Sequence, residues 1–93
     1  MSNAFALVPV LVVGGEHSFV VDKLEKQLQR HGMTCAHHWE WKKKPKAFVG
    51  YIDVVFIVTD MVSHGLNDHV RDLAYERGVP VIFGCRKWAT NKD

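Results

Sequence analysis

The sequence predicts an α/β domain in which helices cover both faces of a four-stranded parallel sheet. Short apolar runs rich in valine alternate along the 93 residues with longer amphipathic stretches. The apolar runs lack polar alternation, as parallel strands covered on both faces do. Each amphipathic stretch stops at a glycine, a common residue at helix ends.

The first strand is predicted at 7–13, an apolar run that stops at Gly14-Gly15. The run is too short for a buried helix and is bounded by glycine. After Ser18, a candidate N-cap, apolar residues recur at helical spacing until Gly32 ends the first helix.

The second half of the chain repeats this order after a weaker strand at 33–37 and a connection at 38–52. The third strand is predicted at 53–59 and is followed by a second amphipathic helix that stops at Gly78. The fourth strand, at 79–84, carries a proline near its start, where little hydrogen bonding is lost.

The alternation of strands and helices favours a three-layer, Rossmann-like or flavodoxin-like sheet with strand order 2-1-3-4. Right-handed crossovers place the first helix on one face, and the connection 38–52 and the second helix on the other. One face over the third and fourth strands is then left without a helix. We therefore expect a homodimer that covers this face or the edge of the fourth strand.

Composition predicts one soluble, cytoplasmic domain, with 47% hydrophobic and 24% charged residues. No apolar run reaches the length of about 20 residues that a membrane helix needs. Residues 1–4 resemble the remnant of an expression tag, which leaves 5–93 as the domain. The two cysteines form no C-x-x-C pair and are expected to be reduced. A net charge of +2 does not indicate a nucleic-acid binder.

Polar residues collect where the predicted strands end, which is where open α/β sheets bind ligands. Four segments of the chain should meet at this edge of the sheet. The candidate ligand- or phosphate-binding residues are Gly14, Gly15, His17, Ser18, Thr59, Asp60, Ser63, His64 and Arg86.

The glycine turn after the first strand leads into a helix N-terminus, which favours an anion such as phosphate. The dinucleotide spacing G-x-G-x-x-G and the G-x-x-x-x-G-K-[ST] phosphate loop are both absent. Asp60 could accept a ribose or base donor, and Ser63 and His64 could bind phosphate. The alternatives are that the glycines only permit a tight turn and that Asp60 and Ser63 only cap the second helix.

Catalytic and metal chemistry find weaker support. There is no G-x-S-x-G elbow, and a Cys85–His64 nucleophile pair is only a geometric alternative. A zinc site from His17, one of His37 and His38, His64 and Cys85 is a further alternative, although we assign no metal. Without a complete catalytic set, binding is favoured over catalysis.

A loop at 39–46 interleaves two tryptophans with four lysines. This pattern can bind nucleic acid by stacking and phosphate contacts. A solvated loop whose tryptophans cover the sheet is the favoured interpretation. The alternative function is therefore a regulatory or scaffold domain that binds protein or RNA without a small-molecule ligand.

Three segments together resemble the uncharacterised bacterial domain-of-unknown-function family 2325. They are Val12-Val13-Gly14-Gly15, Thr59-Asp60-Met61-Val62-Ser63-His64, and Val79-Pro80-Val81-Ile82-Phe83 followed by Arg86-Lys87-Trp88. The resemblance implies a compact Rossmann-like fold and dinucleotide binding, but no activity or catalytic residue. Together with the strand ends, it favours a module that binds a nucleotide, a dinucleotide or another phosphate-bearing small molecule.

Overall fold

The computed structural model describes residues 7–40, 48 and 50–90, which form one parallel sheet flanked by helices. The strand order is β2-β1-β3-β4, as the sequence predicts. Neighbouring strands pair in parallel throughout. The strands are β1 (Val8–Val13), β2 (Met33–Trp39), β3 (Val54–Val58) and β4 (Val81–Gly84).

Three helical segments connect or follow these strands. The first, α1, runs over residues 17–30 as an α-helix (His17–Phe19), a π-helix (Val20–Leu24) and a second α-helix (Glu25–Arg30). The second, α2, spans His64–Arg77, and the third, α3, spans Arg86–Thr90.

The ends of α1 and α2 agree with the sequence except at the start of α1, and Gly32 follows the end of α1 as predicted, with φ 77°. Ser63 caps α2 by accepting a hydrogen bond from the Leu66 N–H at 3.2 Å, and Gly78 ends it with φ 68°. Ser18 is not the N-cap of α1. That position belongs to Glu16, whose backbone is extended, so the helix begins closer to the glycine turn and Ser18 lies in its first turn.

The core consists of one apolar layer on each face of the sheet. On the face covered by α1 and α3, buried residues include Val10, Val12, Leu24, Leu28, Phe56 and Ala89. On the face covered by α2, they include Leu11, Trp39, Val55, Ile57, Leu66 and Val70. Phe48 and Ile52 of the connection pack on the α2 face, which confirms the face predicted for that segment.

The prediction of a bare face over β3 and β4 is wrong in part, because α3 folds back over it. The Trp88 ring lies 5.2 Å from the Phe56 ring and 5.3 Å from the His31 ring, centroid to centroid, and Ala89 is buried. Residues 86–90 after β4 thus form a short helix that returns Trp88 to the core. Covering this face therefore does not by itself require a second subunit.

Strand β2 is longer than predicted and contains a bulge. Val10 pairs with Cys35 but Leu11 pairs with His37, so Ala36 is an extra residue. The Glu25 carboxylate of α1 accepts from the Cys35 N–H and from the Thr34 hydroxyl, both at 2.7 Å. These bonds attach α1 to the outer side of β2.

Some sequence-based expectations fall outside the described residues. They are the assignment of residues 1–4 to a tag remnant and the role of the lysines in 42–46. Within the ranges that the structure does describe, no helix is long and apolar enough to cross a membrane.

Candidate functional site

The carboxyl ends of the strands are joined to one another by backbone hydrogen bonds. Gly14 N–H donates to the Trp39 carbonyl and Gly15 N–H to the Met61 carbonyl, both at 2.8 Å. Thr59 N–H donates to the Gly84 carbonyl at 2.9 Å. The four segments that the sequence places at this edge are therefore brought together. The two glycine N–H groups already have acceptors, so other groups must supply the donors for a ligand.

Asp60 and Arg86 tie the end of β3 to the start of α3. The Arg86 N–H donates to Asp60 Oδ1 at 3.0 Å, and Arg86 Nε donates to Oδ2 at 3.2 Å. Desolvation raises the pKa of Asp60, but the backbone and side-chain hydrogen bonds from Arg86 outweigh it, and the pKa lies below its ordinary value. Asp60 therefore stays ionised and holds the guanidinium at the edge of the sheet.

A cavity of about 390 Å³ opens beside this ion pair. Its volume lies within the range of about 300–1,000 Å³ that is common for small-molecule sites. The residues that line it are Gly15, Glu16, Asp60, Met61, Val62 and Arg86. Gly15, Asp60 and Arg86 are candidates from the sequence. The sequence analysis missed Glu16, Met61 and Val62, although each is the immediate neighbour of a candidate in the chain.

The start of α1 adjoins the cavity through Glu16. No side-chain hydrogen bond caps this helix start, and the first backbone bond runs from Val20 N–H to the Glu16 carbonyl. The N–H groups of the first turn, those of His17, Ser18 and Phe19, therefore precede the helical hydrogen-bond ladder. They give this end of the sheet a positive potential.

The remaining candidates lie around the cavity and do not line it. The His17 ring stacks on His38 at 5.8 Å between centroids, and both residues line a separate cavity of about 240 Å³ between α1 and β2. Ser63 uses its hydroxyl to cap α2, as the alternative interpretation expected. His64 is exposed in the first turn of α2.

Neither cysteine chemistry nor a metal site is favoured by this arrangement. Among residues 7–40, 48 and 50–90, no group of three or more His, Cys, Asp or Glu side chains is placed to hold a metal ion. Burial, aided by the charge of Glu25, raises the pKa of Cys35 to about 11, so this thiol is protonated at neutral pH. Cys85 is an exposed free thiol.

Replacing Asp60 by asparagine should make the free energy of unfolding depend less on pH under acidic conditions. Because its folded pKa is lowered, Asp60 contributes stability above its unfolded pKa, and that stability is lost as the pH falls through the folded value. As the pH falls through and below the ordinary aspartate pKa of 3.8, the wild type should lose more stability than Asp60→Asn. Urea unfolding at several pH values measures this difference. Arg86→Gln should reduce this pH dependence only in part, because the backbone N–H of residue 86 still donates to Asp60. If stability falls with pH as steeply in Asp60→Asn as in the wild type, the lowered pKa of Asp60 is contradicted.

Comparison with known proteins places most of the chain within a family. The family described as "Uncharacterized protein conserved in bacteria (DUF2325)" matches residues 9–90, a range that contains every residue lining the cavity. No curated protein and no solved structure matches the chain significantly.

Proposed function

The chain belongs to the uncharacterised bacterial family DUF2325, and we propose that it binds a phosphate-bearing small molecule, such as a nucleotide, in the cavity at the strand ends. The observation that carries this proposal is the position of Arg86 in the wall of that cavity, held by Asp60. A cation oriented by a carboxylate loses little freedom when it binds an anion.

The phosphate would lie between the Arg86 guanidinium and the first turn of α1. Two sources of positive potential then act on the phosphate. One is the Arg86 guanidinium, and the other is the set of uncapped N–H groups at the start of α1. Asp60 offsets part of the Arg86 charge, so the N–H groups at the start of α1 supply the rest of the positive potential.

The other cavity residues suit the rest of a nucleotide. The Glu16 carboxylate can accept hydrogen bonds from sugar hydroxyls, and Met61 and Val62 offer an apolar wall for a base. Among the described residues, those lining the cavity include no serine, threonine, cysteine, lysine or histidine. This set favours binding over turnover.

A thermal-shift panel tests the proposal with inorganic phosphate, ribose 5-phosphate and nucleoside mono-, di- and triphosphates. At about ten times the dissociation constant, a ligand stabilises the folded chain by about 1.4 kcal/mol, which raises the melting temperature by about 5–10 °C. In Arg86→Gln, loss of one charged hydrogen bond should weaken binding by about 10- to 100-fold.

The matched control is Arg77→Gln, which removes an exposed arginine from the last turn of α2 and should bind like the wild type. The proposal fails if no compound in the panel shifts the melting temperature at millimolar concentration. It also fails if the two arginine variants lose binding equally, because the response would then reflect net charge.

A further inference from the structure

The two edges of the sheet differ in how their backbone groups are used. At the β2 edge, the bulge at Ala36 interrupts the strand, and Glu25 accepts the Cys35 N–H. Bulges and charged side chains are the usual protection of an edge strand against pairing with another chain. The β2 edge is therefore closed by the protein's own residues.

Within the part of the chain that the structure describes, the β4 edge has neither a bulge nor a charged side chain of its own strand. The Pro80 and Gly84 carbonyls accept from β3, from Val55 N–H at 3.0 Å and from Thr59 N–H at 2.9 Å. Because backbone groups alternate along a parallel strand, the N–H and C=O of Val81 and Phe83 point away from β3. The strand contains no charged residue.

Two of the side chains of β4 are also exposed. Phe83 is 52% exposed and Ile82 is 39% exposed. Phe83 lies on the α2 face, where it lines a groove of about 710 Å³ between β4 and α2. The other residues of the groove are Asp68, Arg71, Asp72, Tyr75, Val79 and Val81.

The charged side chains in this groove can pair with the same side chains of a second copy of the chain. Arg71 lies between Asp68 and Asp72 along α2, and all three side chains are exposed. Two such helices that run antiparallel across a two-fold axis can place each arginine against the carboxylates of the other. A two-fold contact has this property because each surface meets itself.

We propose that a second copy of this chain pairs its β4 with β4 in antiparallel fashion, which joins two four-stranded sheets into one of eight strands. With the two-fold axis at Ile82, Val81 lies opposite Phe83 of the partner subunit, and each such pair exchanges two hydrogen bonds. The two copies then form four backbone bonds, and the aromatic and β-branched side chains meet on the α2 face.

The first test compares two lysine substitutions at equally exposed apolar residues by sedimentation velocity over a range of concentrations. Phe83→Lys places a charge on the β4 edge, whereas Val21→Lys, also at a 52% exposed residue, places it on α1. We expect a wild-type dimer, an unchanged Val21→Lys dimer, and a dissociation constant raised by about 30-fold or more in Phe83→Lys.

A second test uses surface residues of α2, so it does not depend on the folding of a β4 variant. One variant carries Asp68→Lys and Asp72→Lys, and the other carries Arg71→Asp. Each alone should be monomeric by charge repulsion, and an equimolar mixture should form a heterodimer. A monomeric wild type, a Phe83→Lys protein that still dimerises, or a mixture that stays monomeric would each overturn the proposal.

Discussion

Replacing Phe56 by alanine should lower the free energy of unfolding by about 3–5 kcal/mol. The side chain is 2% exposed at the centre of the α1 face, and its ring packs against Trp88. Gly84 of the neighbouring strand approaches so closely that a Cβ there would lie 2.6 Å from Phe56 Cζ. Truncation therefore leaves a cavity between β3, β4 and α3 that the surrounding strands cannot easily close.

Urea unfolding of Phe56→Ala beside Tyr51→Ala measures this loss. Tyr51 is 74% exposed, so its truncation should change stability by about 1 kcal/mol or less. Equal losses in the two variants would show that Phe56 is not the centre of the core. The same comparison tests whether α3 covers this face, because an uncovered Phe56 would lose much less on truncation.

Replacing Gly14 by alanine should cost about 2–5 kcal/mol, the second of the two largest effects that we expect. The residue has φ 98°, a conformation that side chains with a Cβ rarely adopt. A Cβ at this position would also lie 2.8 Å from the Met61 carbonyl oxygen and 3.1 Å from Val62 Cβ. The turn after β1 would have to move away from the segment that lines the cavity.

Gly32→Ala separates the strain of a positive φ from the steric clash of an added Cβ. Gly32 has φ 77°, but an added Cβ there would meet nothing within 4 Å. The free energy of unfolding of this control should fall only by the cost of the backbone strain, about 1 kcal/mol. If Gly14→Ala and Gly32→Ala cost the same in thermal unfolding, the close approach between the glycine turn and the Met61 segment is absent. The cavity would then have a different wall.

Sequence patterns predicted the sheet because its strands depend on local signals. Continuous valine-rich runs with glycine behind them specify buried parallel strands, and the handedness of crossovers leaves few possible strand orders. The glycine turn, the Asp60 segment and Arg86 meet at one edge for the same reason, since the carboxyl ends of parallel strands share an edge.

The elements that sequence reasoning missed depend on contacts between distant residues. The short helix α3 has too few residues for a periodic pattern, and it is held by the contact of Trp88 with Phe56 and His31. The bulge in β2 is stabilised by Glu25, ten residues before Cys35. Local residue spacing identifies neither the rings that Trp88 contacts nor the carboxylate that accepts from Cys35.

Only some of the residues that line the cavity were predicted, because the lining also depends on how the chain turns at each strand end. Glu16, Met61 and Val62 line the cavity because backbone turns expose them, and their residue types carry no signal for a site. His17 and His64 attract attention as residue types, yet the turn of α1 directs His17 toward His38 and the cap of α2 leaves His64 outside the cavity.

A two-dimensional ¹H–¹⁵N NMR titration with adenosine monophosphate tests the central claim most directly, because it locates the ligand on the chain. Binding at the strand ends should shift the amide signals of Gly15, Glu16, Met61, Val62 and Arg86, and inorganic phosphate alone should shift a subset that includes Arg86. Signals that do not move at these residues up to about 10 mM ligand, or that move only in the groove between β4 and α2, would contradict the account.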